Sequence, residues 1–235
     1  MARENPFWGA PRIHGELLKL GFALSERSVV RWMPRRPSDP KRAQNWRAFL
    51  ENHREVLAAM DFMVVPTWNF RQLYVLVILD HGRRVVRHMN VTSNPTAAWV
   101  KQQLREAFPY EDLPRYLLFD HDTIFGAVKT FVISMGIIPK QTSPRCPWQN
   151  GICERLIGTL RRELLDHVIV LDEEHLRRLL KDFVRYYHDD RTHLTLGKDC
   201  PHARPLEPRA DEGNQVTGES RCGGLHHRYT WAAAA

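Results

Sequence analysis

The sequence predicts an α/β domain: a mixed sheet flanked by helices, with a small helical segment ahead of it. Two observations carry this. Between about residues 55 and 193, strand-sized apolar runs alternate with stretches whose apolar residues recur at three and four. Their order is three strands, helix, strand, helix, strand, helix, helix, which is the order of an α/β domain with a mixed sheet.

The elements follow in turn. Arg12 to Leu20 carries Ile13, Leu17, Leu18 and Leu20 at helical spacing, and Gly21 breaks the run. Ser25 caps a second helix, Glu26 to Met33, with Val29, Val30 and Met33 inward. Two short helices around a glycine turn make residues 1–36 a partial helix-turn-helix, with Arg27 and Arg31 on its exposed side to meet phosphates or bases. A plain helical hairpin with solvated arginines is the alternative; the basic residues Arg35, Arg36, Lys41 and Arg42 favour DNA. Pro34, Pro37 and Pro40 mark a linker, taken as 37–54, and a short helical stretch follows the prolines, from Asn45 to Leu57. Strands are expected at Met60–Val65, Gln72–Leu79 and Arg84–Val91, the last two joined by a turn at Asp80-His81-Gly82. Pro95 opens a helix to Phe108, with Trp99, Val100 and Leu104 on its core face. Arg115–Phe119 is a buried strand, Phe125–Met135 a helix, and Gly136–Lys140 a short strand.

The stretch from Ser143 to Leu165 is half loop, half helix. Pro144, Pro147 and Asn150-Gly151 are loop signals. Cys153, Leu156, Ile157, Leu160 and Leu164 then form one apolar face, and Glu154, Gly158 and Arg161 share another, with a gap at Gly158. Glu173–Tyr187 is the last helix. Residues 194–235, rich in Pro, Gly and charge, read as an irregular tail with no core.

Composition narrows the function. The chain has 235 residues and a formal charge of +7, which favours a polyanionic partner, most often nucleic acid. No apolar run approaches the roughly 18 residues of a membrane span. Four cysteines without a CxxC pair fit a reduced, intracellular protein. The Cys222, His226, His227 cluster, with Cys200 and His202, fits no common zinc spacing.

Three acids stand out. Asp61 and Asp120 close apolar runs, where a strand edge would present them, and Glu154 lies in the first turn of a helix. There an acid is also welcome for the helix dipole alone. Converging carboxylates repel unless a cation enters, and an all-oxygen set suits Mg²⁺ or Mn²⁺ rather than zinc. Two such ions clamp the attacking and leaving oxygens of a phosphodiester. In a basic protein the three acids therefore propose metal-assisted phosphoryl transfer on nucleic acid. Arg161 would hold a phosphate nearby, and Gln149 and Asn150 would hydrogen-bond the backbone. Asp80 belongs to its turn, and Asp122 is read as a loop residue able to assist.

The blocks DFMVVPT at Asp61, LLFDHDTIFG around Asp120 and PWQNGICERLIGTLRREL around Glu154 resemble the integrase-core transposases of bacterial insertion sequences, in the retroviral-integrase superfamily. NPFWGAPRIHGELLKLG is similar to the family's helix-turn-helix, and GGLHHRY to its C-terminal tail. The resemblance implies a ribonuclease-H-like core over 55–193 and a catalytic, metal-binding triad of Asp61, Asp120 and Glu154. It also implies two Mg²⁺ or Mn²⁺ ions, and Arg161 at the family's DNA-contacting basic position. The activity it implies is cleavage and strand transfer of duplex DNA at element ends, by a homo-oligomer in the bacterial cytoplasm, on the nucleoid. Asp120 and Glu154 are separated by 33 residues, slightly fewer than usual in the superfamily. The chain begins late in the helix-turn-helix and ends in Trp231 and four alanines. A rival expectation is therefore a truncated, inactive, DNA-binding remnant; a host nuclease of the same fold would leave Arg161 and the N-terminal helices unexplained.

Overall fold

A computed structural model describes residues 1, 4–5, 8–33, 40–120, 122–143, 146–209 and 213–233. Pro34, Arg35, Arg36, Pro37, Pro144 and the last two alanines lie outside them. The chain divides into two compact units, Met1–Phe49 and Leu50–Ala235.

The first unit contains α1 (Ala10–Lys19), α2 (Glu26–Trp32) and the start of α3 (Pro40–Asn52). Ser25 caps α2 as expected, its hydroxyl accepting from the Ser28 amide at 3.2 Å. Ala10, Ile13 and Val29 are buried, with Trp8, Leu17 and Met33 packed around them. Val30, expected inward, is exposed, and so are Leu18 and Leu20 of the helical-spacing run. Helices of ten and seven residues offer each other only a narrow stripe, and these three fall beside it. Arg27 and Arg31 are exposed.

In the second unit a five-stranded sheet has the order β3-β2-β1-β4-β5. Its strands are β1 (Leu57–Pro66), β2 (Gln72–Asp80), β3 (Val86–Thr92), β4 (Tyr116–Phe119) and β5 (Ile138–Gln141). The first three are antiparallel; β4 and β5 join parallel, after helices α4 (Ala97–Ala107) and α5 (Thr123–Ser134). Short loops permit the first pairing and crossovers force the second. Two expected elements shift. The helix before β1 begins at Pro40, inside the expected linker, since proline suits a first helical turn. Leu57 belongs to β1 instead, where it is buried.

Alternation sorts the side chains. Ala58 and Met60 of β1, Leu76 and Ile78 of β2, and Leu117 and Phe119 of β4 join Val100 and Leu104 of α4 and Phe125, Val128 and Val132 of α5 in one core. Phe62 extends it, stacked on Phe125 at 5.2 Å. The opposite face is covered by α6 (Gly151–Glu163) and α7 (Glu173–Asp189). Cys153, Leu156, Ile157 and Leu160 are buried, as the stripe on α6 predicts, and Leu176, Leu180 and Phe183 bury from α7.

The tail is not irregular throughout. Strands β6 (Asn214–Arg221) and β7 (His226–Ala233) pair as a hairpin. It is held by charge more than by a core: Arg221 and Arg228 grip the buried Asp190 carboxylate at 2.7 and 3.1 Å. The His226 ring stacks on Tyr186 at 4.3 Å, and its Nε2 lies 2.8 Å from the Glu163 carbonyl. Charge-held strands give little apolar alternation, so the hairpin escapes a hydrophobic pattern.

Candidate active site

Asp61 sits in mid-β1, opposite Val77 of β2. Its neighbours Met60 and Phe62 point into the α4–α5 core, so Asp61 turns to the face that α6 covers. Asp120 follows the last residue of β4. Leu117 and Phe119 lie in that same core, so Asp120 also turns towards α6. β1 and β4 pair in parallel up to Ala59↔Leu118, and the same register carried two residues further sets Asp61 level with Asp120. Glu154 is exposed in the first turn of α6.

The electrostatics tie these acids together. The Asp61 carboxyl is pushed up from 3.8 to about 7, first by burial. The Phe62 amide, donating to Oδ1 at 2.8 Å, resists; the charges of Asp120, Glu154 and Asp122 raise it further. The Cys153 thiol, wholly buried beneath, is raised by burial and then by Asp61. As they stand, no three His, Cys, Asp or Glu side chains among the described residues are gathered closely enough to hold a metal ion. Asp61, Asp120 and Glu154 share a face and a field rather than a contact. Their donor set is oxygen alone, and a divalent cation among them would offset the burial penalty, and the smaller repulsion from the other acids, that raise the Asp61 carboxyl.

Gln149 and Asn150 do not present their side chains to a ligand. Both are only 3% exposed. Gln149 Oε1 accepts from the Ser143 amide at 2.5 Å, and Asn150 Nδ2 donates to the Met60 carbonyl at 3.2 Å. Their work is positional: Asn150 fastens the turn Pro147–Asn150, and with it the start of α6, to the strand that carries Asp61, and Gln149 ties the same turn back to Ser143 at the start of its loop. Polar residues in a turn signal read as ligand donors from sequence; only the packing shows that the turn is tucked under the sheet.

Two other expectations need correction, the gap at Gly158 and the place of Asp80. The space beside Gly158 is not a gap between Glu154 and Arg161, because a Cβ there would meet the Arg162 guanidinium at 3.0 Å. Arg161 is exposed and lines a cleft of about 360 Å³ with Pro66, Trp68 and Val170. Asp80 is the last residue of β2, not a turn residue, and is paired with Arg87 at 2.5 Å. Asp122 caps α5, its carboxylate accepting from the Ile124 amide at 2.9 Å. That cap follows the Asp-Thr start signal of a helix, and it occupies Asp122 without removing its charge from Asp61's surroundings. Asp120 in turn accepts from the Asp122 amide at 2.9 Å, which fixes the corner between β4 and α5.

Residues 135–201 match the family model described as integrase core domain, a span that includes Glu154 but neither aspartate. The chain is 24% identical over 161 residues to the uncharacterised protein of insertion element IS476 from Xanthomonas euvesicatoria, covering 67% of this chain and 46% of that protein. It thus spans about half the length of that relative. In fold it is similar to a chain of the simian T-cell lymphotropic virus intasome in complex with PP2A regulatory subunit B56 gamma. There the TM-score is 0.52 at 15% identity, over 76% of this chain and 67% of that one. It is likewise similar to the Mos1 transposase catalytic domain solved with raltegravir and Mg. There the TM-score is 0.52 at 13% identity, over 64% of this chain and 85% of that one. The resemblance carried by the motifs is therefore borne out, and the sheet is the ribonuclease-H-like sheet of integrase and transposase catalytic cores. Among the described residues no helix is long and apolar enough to cross a membrane.

Proposed function

We propose that this protein is a DNA transposase that cleaves duplex DNA at insertion-sequence ends and transfers the freed strand to a target by metal-dependent phosphoryl transfer. The observation that carries this reading is the placement of Asp61, Asp120 and Glu154 on three adjoining elements. Asp61 on β1, Asp120 just past the end of the adjacent parallel strand β4, and Glu154 in the first turn of the helix above them lie close enough that the latter two, after burial, raise the Asp61 carboxyl. A folded domain gains no stability from such a cluster; a cation-binding site needs it.

Asp61, Asp120 and Glu154 would hold Mg²⁺ or Mn²⁺. The chemistry supplied there by two bound ions is an electrostatic clamp on the attacking and leaving oxygens of a phosphodiester. The chain's own residues do the rest. The water-poor surroundings of Asp61 strengthen its own electrostatic interactions at the site. Asn150 holds the start of the Glu154 helix to β1, and Gln149 holds the preceding loop closed. Arg161, two turns beyond Glu154 on the same face, offers a guanidinium to a neighbouring phosphate. The exposed Arg27 and Arg31 of α2 would meet DNA outside the catalytic unit. The Mg held by the Mos1 catalytic domain and the intasome assembly of the viral relative support a metal-loaded homo-oligomer on DNA, a bacterial cytoplasmic protein acting at the nucleoid.

Glu154→Gln tests the assignment. The exposed side chain keeps its shape and loses one charge. Cleavage of an element-end oligonucleotide in Mg²⁺ should fall by about 100-fold or more. Binding of the same oligonucleotide in Ca²⁺ should stay level or rise. Equal cleavage by the variant would reduce Glu154 to a first-turn acid, and binding without cleavage by the parent would leave a DNA-binding remnant.

A further inference from the structure

A second recess opens on a different side of α6, about a third of a turn from Glu154. It has a volume of about 330 Å³ and is walled by four arginines: Arg84 from the β2–β3 turn, Arg155 and Arg162 from α6, and Arg191 after α7. Thr159, Thr192 and Thr195 also line it. This volume is on the order of ten water molecules, room for one hydrated phosphate group and its neighbours.

The charge there is mostly uncompensated. Arg191 is forked onto Glu163, at 2.8 and 2.6 Å. The guanidiniums of Arg84, Arg155 and Arg162 make no hydrogen bond or ion pair among the described residues. Arg84 is nonetheless partly buried, and it is held at φ 62°, a backbone conformation that side-chain-bearing residues rarely adopt. Its pKa is pushed down by burial and then by Arg155. His193 lines the same recess. Arg191 Nη1 stands 3.3 Å from its Nδ1, and its Nε2 is buried without a hydrogen-bond partner. The His193 ring is pushed down to about 4, by burial and then by Arg191 and Arg84, so it adds no charge at neutral pH.

Cations drawn together without acids are costly unless an anion joins them. A carboxylate has two oxygens and suits one guanidinium fork. Three such forks beside threonine hydroxyls suit the three or four oxygens of a phosphate. The geometry points to a phosphate-binding site in this recess, separate from the acidic face, that holds a backbone phosphate of nucleic acid lying along α6. The nucleic-acid occupant rests on the proposed function; the phosphate chemistry does not.

The test compares the full chain with Arg155→Gln/Arg162→Gln, and with Arg178→Gln/Arg185→Gln as a control that removes two exposed arginines of α7 outside the recess. Two properties are measured: the rise in melting temperature with millimolar inorganic pyrophosphate, and the salt dependence of binding to a DNA duplex. The recess variant should lose the pyrophosphate rise, and its log–log salt slope should flatten by about 1.8 for two lost phosphate contacts. The control should keep the rise and flatten less. A lost pyrophosphate rise with the control's salt slope would assign the recess to free phosphates and overturn the nucleic-acid occupant. An unaltered rise and an unaltered slope, or no rise in the parent, would overturn the site. A parent that binds no duplex overturns the proposed function instead, and the pyrophosphate arm then decides the recess alone.

Discussion

Asp61→Asn should stabilise the metal-free protein at alkaline pH. The folded carboxyl titrates at about 7, against an ordinary value of 3.8. Its folded pKa is raised, so the folded state holds the proton more tightly than the unfolded one. The resulting stability is fully present below pH 3.8 and is lost as pH rises to about 7. A shift of about three pH units at ~1.36 kcal/mol each corresponds to roughly 4 kcal/mol, of which about 2–3 kcal/mol is lost between pH 5 and 8. For a chain of this size that is roughly a 5–10 °C change in melting temperature. The amide that replaces the carboxyl would have no proton to lose, and its oxygen could still accept from the Phe62 amide. Thermal melts in EDTA at pH 5 and pH 8 should therefore show a fall in the parent that the variant lacks. Adding Mg²⁺ at pH 8 should restore the parent by about 2.7 kcal/mol at a hundred times the dissociation constant, and leave the variant unmoved. An equal pH 5 to 8 fall in both proteins would refute the strained acid. An equal response to Mg²⁺ would refute its part in holding metal.

Two further changes probe the parts that position the site and the DNA. Asn150→Ala removes a buried hydrogen bond to the Met60 carbonyl, and should cost about 1–2 kcal/mol in urea denaturation while lowering cleavage more than DNA binding. A loss of binding and cleavage in step would mean that Asn150 meets DNA after all. Arg27→Ala/Arg31→Ala should flatten the salt dependence of duplex binding by about 1.8 if both arginines meet phosphates. An unchanged slope would leave α1 and α2 a plain helical hairpin.

The sheet, its two flanking helix layers and the three acids were legible in the sequence because each depends on a local pattern. Apolar alternation marks β1, β2 and β4; a three-four stripe marks α6; and an acid closing an apolar run, as Asp120 does, marks a strand end. What local pattern could not decide is which side chains an element spends on its neighbours. Gln149 and Asn150 carry the same polar groups whether they face DNA or the protein's own backbone, and only the packing of the turn ahead of α6 gives them the Ser143 amide and the Met60 carbonyl as partners. Arg162 is one residue from Arg161, yet it folds back over Gly158 while Arg161 stays out. The β6–β7 hairpin was invisible because its anchor, Asp190 with Arg221 and Arg228, joins charges more than thirty residues apart and leaves no hydrophobic period. The arginine-walled recess is drawn from residues 84, 155, 162 and 191, each ordinary in its own surroundings. Patterns in sequence report the burial of whole faces, which repeats with the element's own period. Convergence of charges from separate elements has no period, and exists only once the chain has closed.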